Sequence, residues 1–167
     1  MKKQNAIQIK RQKTTRRYNI LINRGDFMRV YYIFLINRET YMLTKNKPDN
    51  LYKILESIYL LDKNKVYLGY KMFSKICKPI NKKNLNKLLI DNNDDNLSYT
   101  CFKNTHIIND FINNESTKLV IGSSHIKVKS NSMYPSLFNT LKGIPYLFVC
   151  DFQNMDYFYL KSIMFSR

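Results

Sequence analysis

The chain has 167 residues, of which 44% are hydrophobic and 24% are charged, and its formal net charge is +16. This length and apolar content argue against a disordered chain and allow one domain with its own hydrophobic core. The three cysteines are far apart and form no Cys-x-x-Cys pair, which argues against a disulfide framework and a zinc ribbon and indicates a reducing compartment. Since no apolar run approaches the roughly 20 residues of a membrane-spanning helix, we expect a cytoplasmic protein.

Positive charge is concentrated in the first 27 residues. They contain eight Lys or Arg and one acid, Asp26, for a net charge of +7. They show no sustained apolar period, so we expect either a basic disordered tail or an untranslated upstream leader, followed by one domain over residues 28–167.

The leader hypothesis comes from the coding of residues 24–28. Abundant Asn, Lys, Ile and Tyr indicate an AT-rich genome, in which Arg-Gly-Asp-Phe-Met reads AGA GGA GAT TTT ATG. The AGGAG before ATG has the form of a bacterial ribosome-binding site, so Met28 is our predicted native start. A natural peptide that spans Arg24 to Arg29 would contradict this hypothesis. The positive charge is then partly a product of codon bias.

The first predicted element is a strand over 29–36 (RVYYIFLI), because a short β-branched and aromatic run is typical of a strand buried on both faces. Pro48-Asp49 then opens a helix, since proline suits the first helical position and an acid favours the N-terminus. Its apolar residues recur at helical spacing: Leu51, Ile54, Leu55, Ile58 and Leu61.

Two further helices and a loop are predicted before residue 97. A helix covers Val66 to Cys77, with an apolar stripe, and Pro79 ends it. The stripe consists of Val66, Tyr70, Phe73 and Cys77. Asn81 caps a short helix, and the polar run 91–96 forms a surface turn.

The second half of the chain is rich in predicted strands. A strand covers 97–102, whereas 104–116 is helix or loop, with a weak helical period at Ile107, Ile108 and Phe111. Strands at 118–121 and 125–128 form a hairpin around a Gly-Ser-Ser turn. A helix follows between Pro135 and Gly143, and the last strands are 146–150 and 157–163. This order predicts an α/β (α+β) single domain, a mixed β-sheet with helices packed on it.

The side chains that carry enzyme chemistry are few and scattered. His106 and His125 have no Cys or carboxylate at metal-ligand spacing, and Cys150 follows an apolar run typical of a core strand. The four glycines are isolated, so no phosphate-binding loop is present. We therefore expect a protein that is not an enzyme and that uses no cofactor and no metal.

Several blocks of the chain resemble one family, the sporulation inhibitor of replication (SirA) of spore-forming Gram-positive bacteria. MRVYYIFLI at 28–36 is similar to the start of that family, and Lys78-Pro79-Ile80 resembles its Gln-Pro-Ile segment. SHIKVKS at 124–130 is similar to its second hairpin strand. FVCDF at 148–152 and YFYL at 157–160 resemble its Leu-Ala-Met-Asp-Phe and Tyr-Gly-Trp-Leu blocks.

The resemblance implies a non-enzymatic inhibitor of chromosome replication initiation that binds the N-terminal domain of the initiator DnaA during sporulation. The family's contact surface includes aromatics just after the first strand and residues on a following helix. Thr40 and Thr44 stand at the matching aromatic positions here, and Tyr41 is offset by one. The resemblance therefore implies a partner-binding site at Tyr41, with Lys71 and Met72 on the helix.

Two alternative functions follow from other features of the sequence. The basic segment 1–27 is typical of sequence-independent phosphate binding, which indicates a small basic DNA-binding phage, plasmid or bacterial accessory protein. An enzyme is disfavoured by the missing constellation of catalytic residues. We expect no membrane and no small-molecule substrate.

Overall fold

A computed structural model describes residues 28–162 of the chain. The expected tail or leader over 1–27 lies outside the described residues, as does the end of the predicted strand 157–163. The strands are β1 (Arg29–Leu35), β2 (Tyr99–Phe102), β3 (Thr105–Asp110), β4 (Glu115–Ile121), β5 (Ile126–Ser130), β6 (Leu147–Asp151) and β7 (Asp156–Tyr159). The α-helices are α1 (Arg38–Thr44), α2 (Pro48–Tyr59), α3 (Val66–Ile76), α4 (Lys82–Asp91) and α5 (Leu137–Leu141).

The strands form one sheet in the order β2-β3-β4-β5-β1-β6-β7. β1 pairs with both β5 and β6, so Tyr32 lies opposite Lys127 on one side and opposite Cys150 on the other. The predicted α+β domain and its central first strand are confirmed. The described pairings are all antiparallel, whereas a mixed sheet was predicted, because β2 to β5 and then β6 to β7 follow one another as hairpins.

Helices pack on both faces of the sheet and divide the core in two. We call the face that carries Tyr32 and Phe34 the front face and the other the back face. On the back face, α4 and α5 bury Leu89 and Phe138 against the sheet. On the front face, α1, α2 and α3 pack over β1, β6 and β7, where Phe148 is fully buried.

The local signals for α2 and α4 are confirmed. Pro48 stands in the first turn of α2, and the Asn81 side-chain oxygen caps α4 by accepting a hydrogen bond from the Asn84 N–H at 3.1 Å. The buried face of α2 differs in one position from the predicted stripe. Tyr52 is buried and Ile54 is 38% exposed, because the aromatic ring of Tyr52 reaches the sheet and occupies that side of the helix.

The prediction that 104–116 is helix or loop is wrong. β3 occupies the first part of this segment and pairs with β4, which begins at Glu115. His106 and Ile108 are buried and alternate with more exposed neighbours, but a histidine in a core position hides that alternation from a hydrophobicity pattern. The apparent helical period joined Ile107 and Ile108, on opposite faces of the strand, with Phe111 in an exposed turn.

The hairpin of β4 and β5 turns at residues 122–124, as predicted. The Gly122 N–H donates to the His125 carbonyl oxygen at 2.9 Å. A Cβ atom at residue 122 would lie 2.7 Å from that oxygen, so this turn requires glycine. The edge strand β7 stops at Tyr159, and a 3-10 turn at Leu160–Ser162 replaces the end of the last predicted strand.

Candidate functional site

Asn37 fastens α1 and α3 to the end of β1. Its side-chain oxygen caps α1 by accepting a hydrogen bond from the Thr40 N–H at 2.8 Å. Its side-chain NH2 donates to the Lys75 carbonyl at 2.6 Å, and its backbone N–H donates to the Ile76 carbonyl at 2.9 Å. A single residue therefore sets the position of the start of α1 relative to the end of α3.

Tyr41 lies on α1 with a half-buried ring. The centroid of this ring is 4.8 Å from that of Tyr146 and 5.0 Å from that of Tyr159. The next two residues, Met42 and Leu43, are exposed, and Leu43 is 83% exposed. Tyr41 thus holds α1 against the sheet, while Met42 and Leu43 leave apolar surface of α1 exposed.

Lys71 and Met72 lie on α3, on the front side of the sheet. Lys71 is exposed and Met72 is half-buried. Because Asn37 joins the two helices, the predicted residues Tyr41, Lys71 and Met72 stand on adjoining elements, although the ring of Tyr41 packs inward. We use the name α1/α3 surface for four residues of these two helices: the exposed Met42, Leu43 and Lys71 and the half-buried Met72.

An open apolar groove of about 360 Å³ runs between α2, α3 and the front face. Val66 and Tyr70, which the helical period predicts to be buried, line this groove and remain exposed. Tyr32, Phe34 and His125 form the sheet side of the groove, and the His125 ring centroid lies 5.5 Å from that of Tyr32. The space between α3 and the sheet is therefore only partly filled by side chains.

The two buried thiols of the front-face core, Cys77 and Cys150, are held in the protonated form. Burial raises the pKa of Cys77 to about 12 and also raises the pKa of Cys150. A protonated, buried thiol behaves as a small apolar side chain and is a poor nucleophile. Within residues 28–162, no group of three His, Cys, Asp or Glu side chains is placed to hold a metal ion.

His106 is a fully buried polar side chain of the back-face core. Its Nε2 lies 2.8 Å from the Asn86 side-chain oxygen, and its Nδ1 lies 2.7 Å from the Tyr99 hydroxyl oxygen. A neutral ring that donates from Nε2 and accepts at Nδ1 satisfies both contacts. Burial lowers the pKa of His106, so the neutral ring is the form that the fold favours. Burial, and to a lesser extent Lys127, lowers the pKa of His125 in the same direction.

Acidification from pH 7.5 to 5.5 is expected to destabilise the protein through His106. The unfolded chain binds a proton near the ordinary histidine pKa of about 6.5, whereas the folded chain binds it only at lower pH. This contribution to stability is present above pH 6.5 and is lost as the pH falls towards the folded pKa, by at most about 1.4 kcal/mol per pH unit. Urea unfolding at several pH values measures the slope. His106→Gln should reduce it, and an unchanged slope in that variant would contradict the assignment.

Sequence reasoning missed Met42 and Leu43 because it did not predict α1. A signal was present, since Asn37 stands three residues before Thr40 and Glu39 lies in the first turn, as at a capped helix start. The groove left no comparable signal. Its existence depends on how α3 lies against α2 and β1, which no local pattern specifies.

Comparison with known proteins gives one family. The model of the family described as sporulation inhibitor of replication protein SirA matches residues 29–164. No curated protein sequence matches the chain significantly. In the part of the chain that the structure describes, none of the helices combines the length and the apolar character required to cross a membrane.

Proposed function

The chain belongs to the SirA family of sporulation inhibitors of replication, and from this premise we propose that it blocks chromosome replication initiation by binding the N-terminal domain of the initiator DnaA. The family is one of regulatory inhibitors rather than enzymes, and its role in replication control implies a protein partner. The expected resemblance to this family is confirmed, and the identity of the partner is the proposal.

The observation that supports the proposal is that α1 exposes apolar side chains and is held firmly against the domain. Met42 and Leu43 stand next to each other and are more than half exposed. Asn37 and Tyr41 hold their helix against the rest of the domain. Protein interfaces concentrate their binding energy in a few apolar or aromatic side chains on rigid elements, and methionine is enriched among them.

Lys71 and Met72 extend this surface onto α3. The ammonium group of Lys71 suits an acidic patch on the partner, which would increase the association rate more than the affinity. Met72, which is half-buried, offers a flexible thioether at the edge of the same surface. Tyr41 contributes through its exposed edge and through the position that it gives to α1.

Titration calorimetry between the chain and the N-terminal domain of DnaA tests the proposal. We expect direct binding, and Tyr41→Ala should weaken it about tenfold, because the ring is lost from the contact and from the support of α1. Tyr41→Phe keeps the ring packing and should bind nearly as tightly as the natural chain. Phe102→Ala, an exposed aromatic on β2, is the matched control and should bind normally.

Two results would count against these assignments. Absence of binding by the natural chain would overturn the proposed partner. Unchanged affinity in Tyr41→Ala, with binding otherwise intact, would remove Tyr41 from the contact while leaving the partner in place.

The alternative function, a small basic DNA-binding accessory protein, draws on the +7 net charge of residues 1–27. These residues lie outside the described part of the chain. Salt-sensitive binding to arbitrary duplex DNA that disappears when 1–27 are deleted would favour this alternative.

A further inference from the structure

Among residues 28–162, no helix covers a core cluster on the front face over β2 to β5. The described core cluster beneath α1, α2 and α3 draws its strand residues from β1, β6 and β7 only. Strand pairing aligns the front-face residues of β1 to β5 in two rows across the sheet. The first row is Tyr32, Lys127, Val120, Thr105 and Phe102. The second row is Val30, Lys129, Lys118, Ile107 and Thr100.

Three exposed lysines stand together on this face. Lys118 is the direct cross-strand partner of Lys129, and Lys127 lies two residues from Lys129 on the same strand. Neighbouring Cα atoms in this arrangement are about 5 Å apart across the strands and about 7 Å apart along them. Like charges directly opposite each other destabilise a sheet, so the arrangement costs stability unless an anion lies over it.

No carboxylate compensates this charge within residues 28–162. Neither row contains an acid. The salt bridges of the described residues involve Arg29 and Lys53 as the basic partners, and none involves Lys118, Lys127 or Lys129. The lysine cluster is therefore available to an anionic ligand from outside the domain.

Aromatic and aliphatic side chains flank these lysines in both rows. Phe102 ends the first row and is 72% exposed. Tyr32 begins that row but is half-buried: its ring packs against those of Tyr59 and Phe152, and the Lys127 Nζ lies 5.5 Å from its centroid. The apolar groove beside α3 opens at this same end, since Tyr32 lines it. A ligand that fits this face has repeated negative charges on one side and flat apolar rings on the other.

We propose that this surface, the basic sheet face of Lys118, Lys127, Lys129 and Phe102, binds single-stranded nucleic acid. The lysines neutralise successive phosphates, and an unpaired base stacks on the exposed ring of Phe102, as on other sheets and grooves that bind single strands. A duplex keeps its bases paired and stacked within the helix, so its bases cannot stack on the Phe102 ring. An acidic protein segment would meet the lysines but leave Phe102 without a stacking partner.

This binding is independent of the proposed contact with the initiator. The basic sheet face is formed by strands of the sheet, whereas the α1/α3 surface consists of residues on two helices. Stacking and phosphate neutralisation read no base edges, so the binding is sequence-independent.

Fluorescence anisotropy of the full chain with a labelled oligothymidylate of about 15 nucleotides tests the proposal. K118Q/K127Q/K129Q is expected to bind at least tenfold more weakly. The control K63Q/K83Q/K87Q removes the same charge from exposed lysines elsewhere and should stay within twofold of the natural chain. The slope of log affinity against log salt should fall by about two in the first variant only, because each single-strand phosphate contact contributes about 0.7.

A separate variant tests the stacking of a base on Phe102. Phe102→Ala should weaken binding of the oligothymidylate about fivefold or more. Thermal unfolding followed by circular dichroism should show a midpoint for K118Q/K127Q/K129Q at or above that of the natural chain, because the facing charges are gone. If the midpoint is unchanged or higher, weak binding by this variant results from the lost lysine contacts and not from unfolding.

Three outcomes would overturn the proposal. The first is equal binding by the two triple variants, which would place the charge dependence elsewhere in the chain. The second is normal binding by Phe102→Ala together with equal affinity for duplex DNA. The third is binding of a polyglutamate peptide as tight as that of the oligothymidylate, which would assign the face to an acidic protein segment.

Discussion

Replacing Met42 and Leu43 together by glutamine is expected to reduce the affinity for the N-terminal domain of DnaA by about thirtyfold. Both side chains are exposed in the free domain, so their apolar area is available to a partner. Glutamine is of similar length and has a good helix propensity, which preserves α1 while removing the apolar contact. Titration calorimetry measures this loss of affinity. The prediction rests on the proposed partner.

The matched control for this pair is Phe111→Gln/Ile112→Gln. These residues are adjacent, apolar and more than nine-tenths exposed in the turn between β3 and β4, far from α1 along the sheet. Both double variants should change the free energy of unfolding little, because isolated exposed substitutions usually cost less than about 0.5 kcal/mol each. An equal loss of affinity in the two pairs would mean that apolar exposure in general, and not α1, drives the association.

Phe148→Ala is expected to lower the free energy of unfolding by about 3–5 kcal/mol. Phe148 is fully buried on the front face, opposite Phe34 on β1, and its ring centroid lies 4.8 Å from that of Tyr159. Truncation leaves a cavity beneath α2 that the rigid sheet cannot close. Since a domain of this kind has roughly 5–15 kcal/mol of stability in total, the variant should be close to unfolding at physiological temperature.

Urea unfolding measures this loss against two further variants. Phe148→Leu retains most of the buried volume and should lose less than about 1.5 kcal/mol. Phe102→Ala removes an exposed ring and should change the free energy of unfolding by less than about 0.5 kcal/mol. A loss below 1 kcal/mol in Phe148→Ala would mean that the front-face core repacks around the cavity.

Local signals were sufficient for the elements whose start or burial depends on neighbouring residues. The run 29–36 predicted a strand buried on both faces, and β1 is the strand between β5 and β6 with helices on either side. Pro48 and Asn81 predicted the starts of α2 and α4. Gly122 predicted a turn where a Cβ atom would meet the opposing backbone. The order of short blocks also predicted the family.

Local signals failed where a side chain takes its role from distant residues. His106 is a polar residue in the sequence, but it is buried because Asn86 and Tyr99 form hydrogen bonds with its ring. The alternation of buried residues in β3 was therefore not visible in the hydrophobicity pattern. The outward position of Leu43 and the inward position of Tyr41 depend on Tyr146 and Tyr159, more than 100 residues further along the chain. The exposed apolar face of the short helix α1 therefore results from packing and not from a period in its own sequence.

The sequence by itself determined the α+β class, the central strand, the hairpin and the family, because each depends on residue type and on spacing within one segment. Only the tertiary structure decided the antiparallel order of the sheet, the groove beside α3 and the alignment of Lys118, Lys127 and Lys129 on one open face. Strand register and helix placement are set by contacts between segments far apart in the chain, and a shift of one residue would turn each of those lysines to the other face.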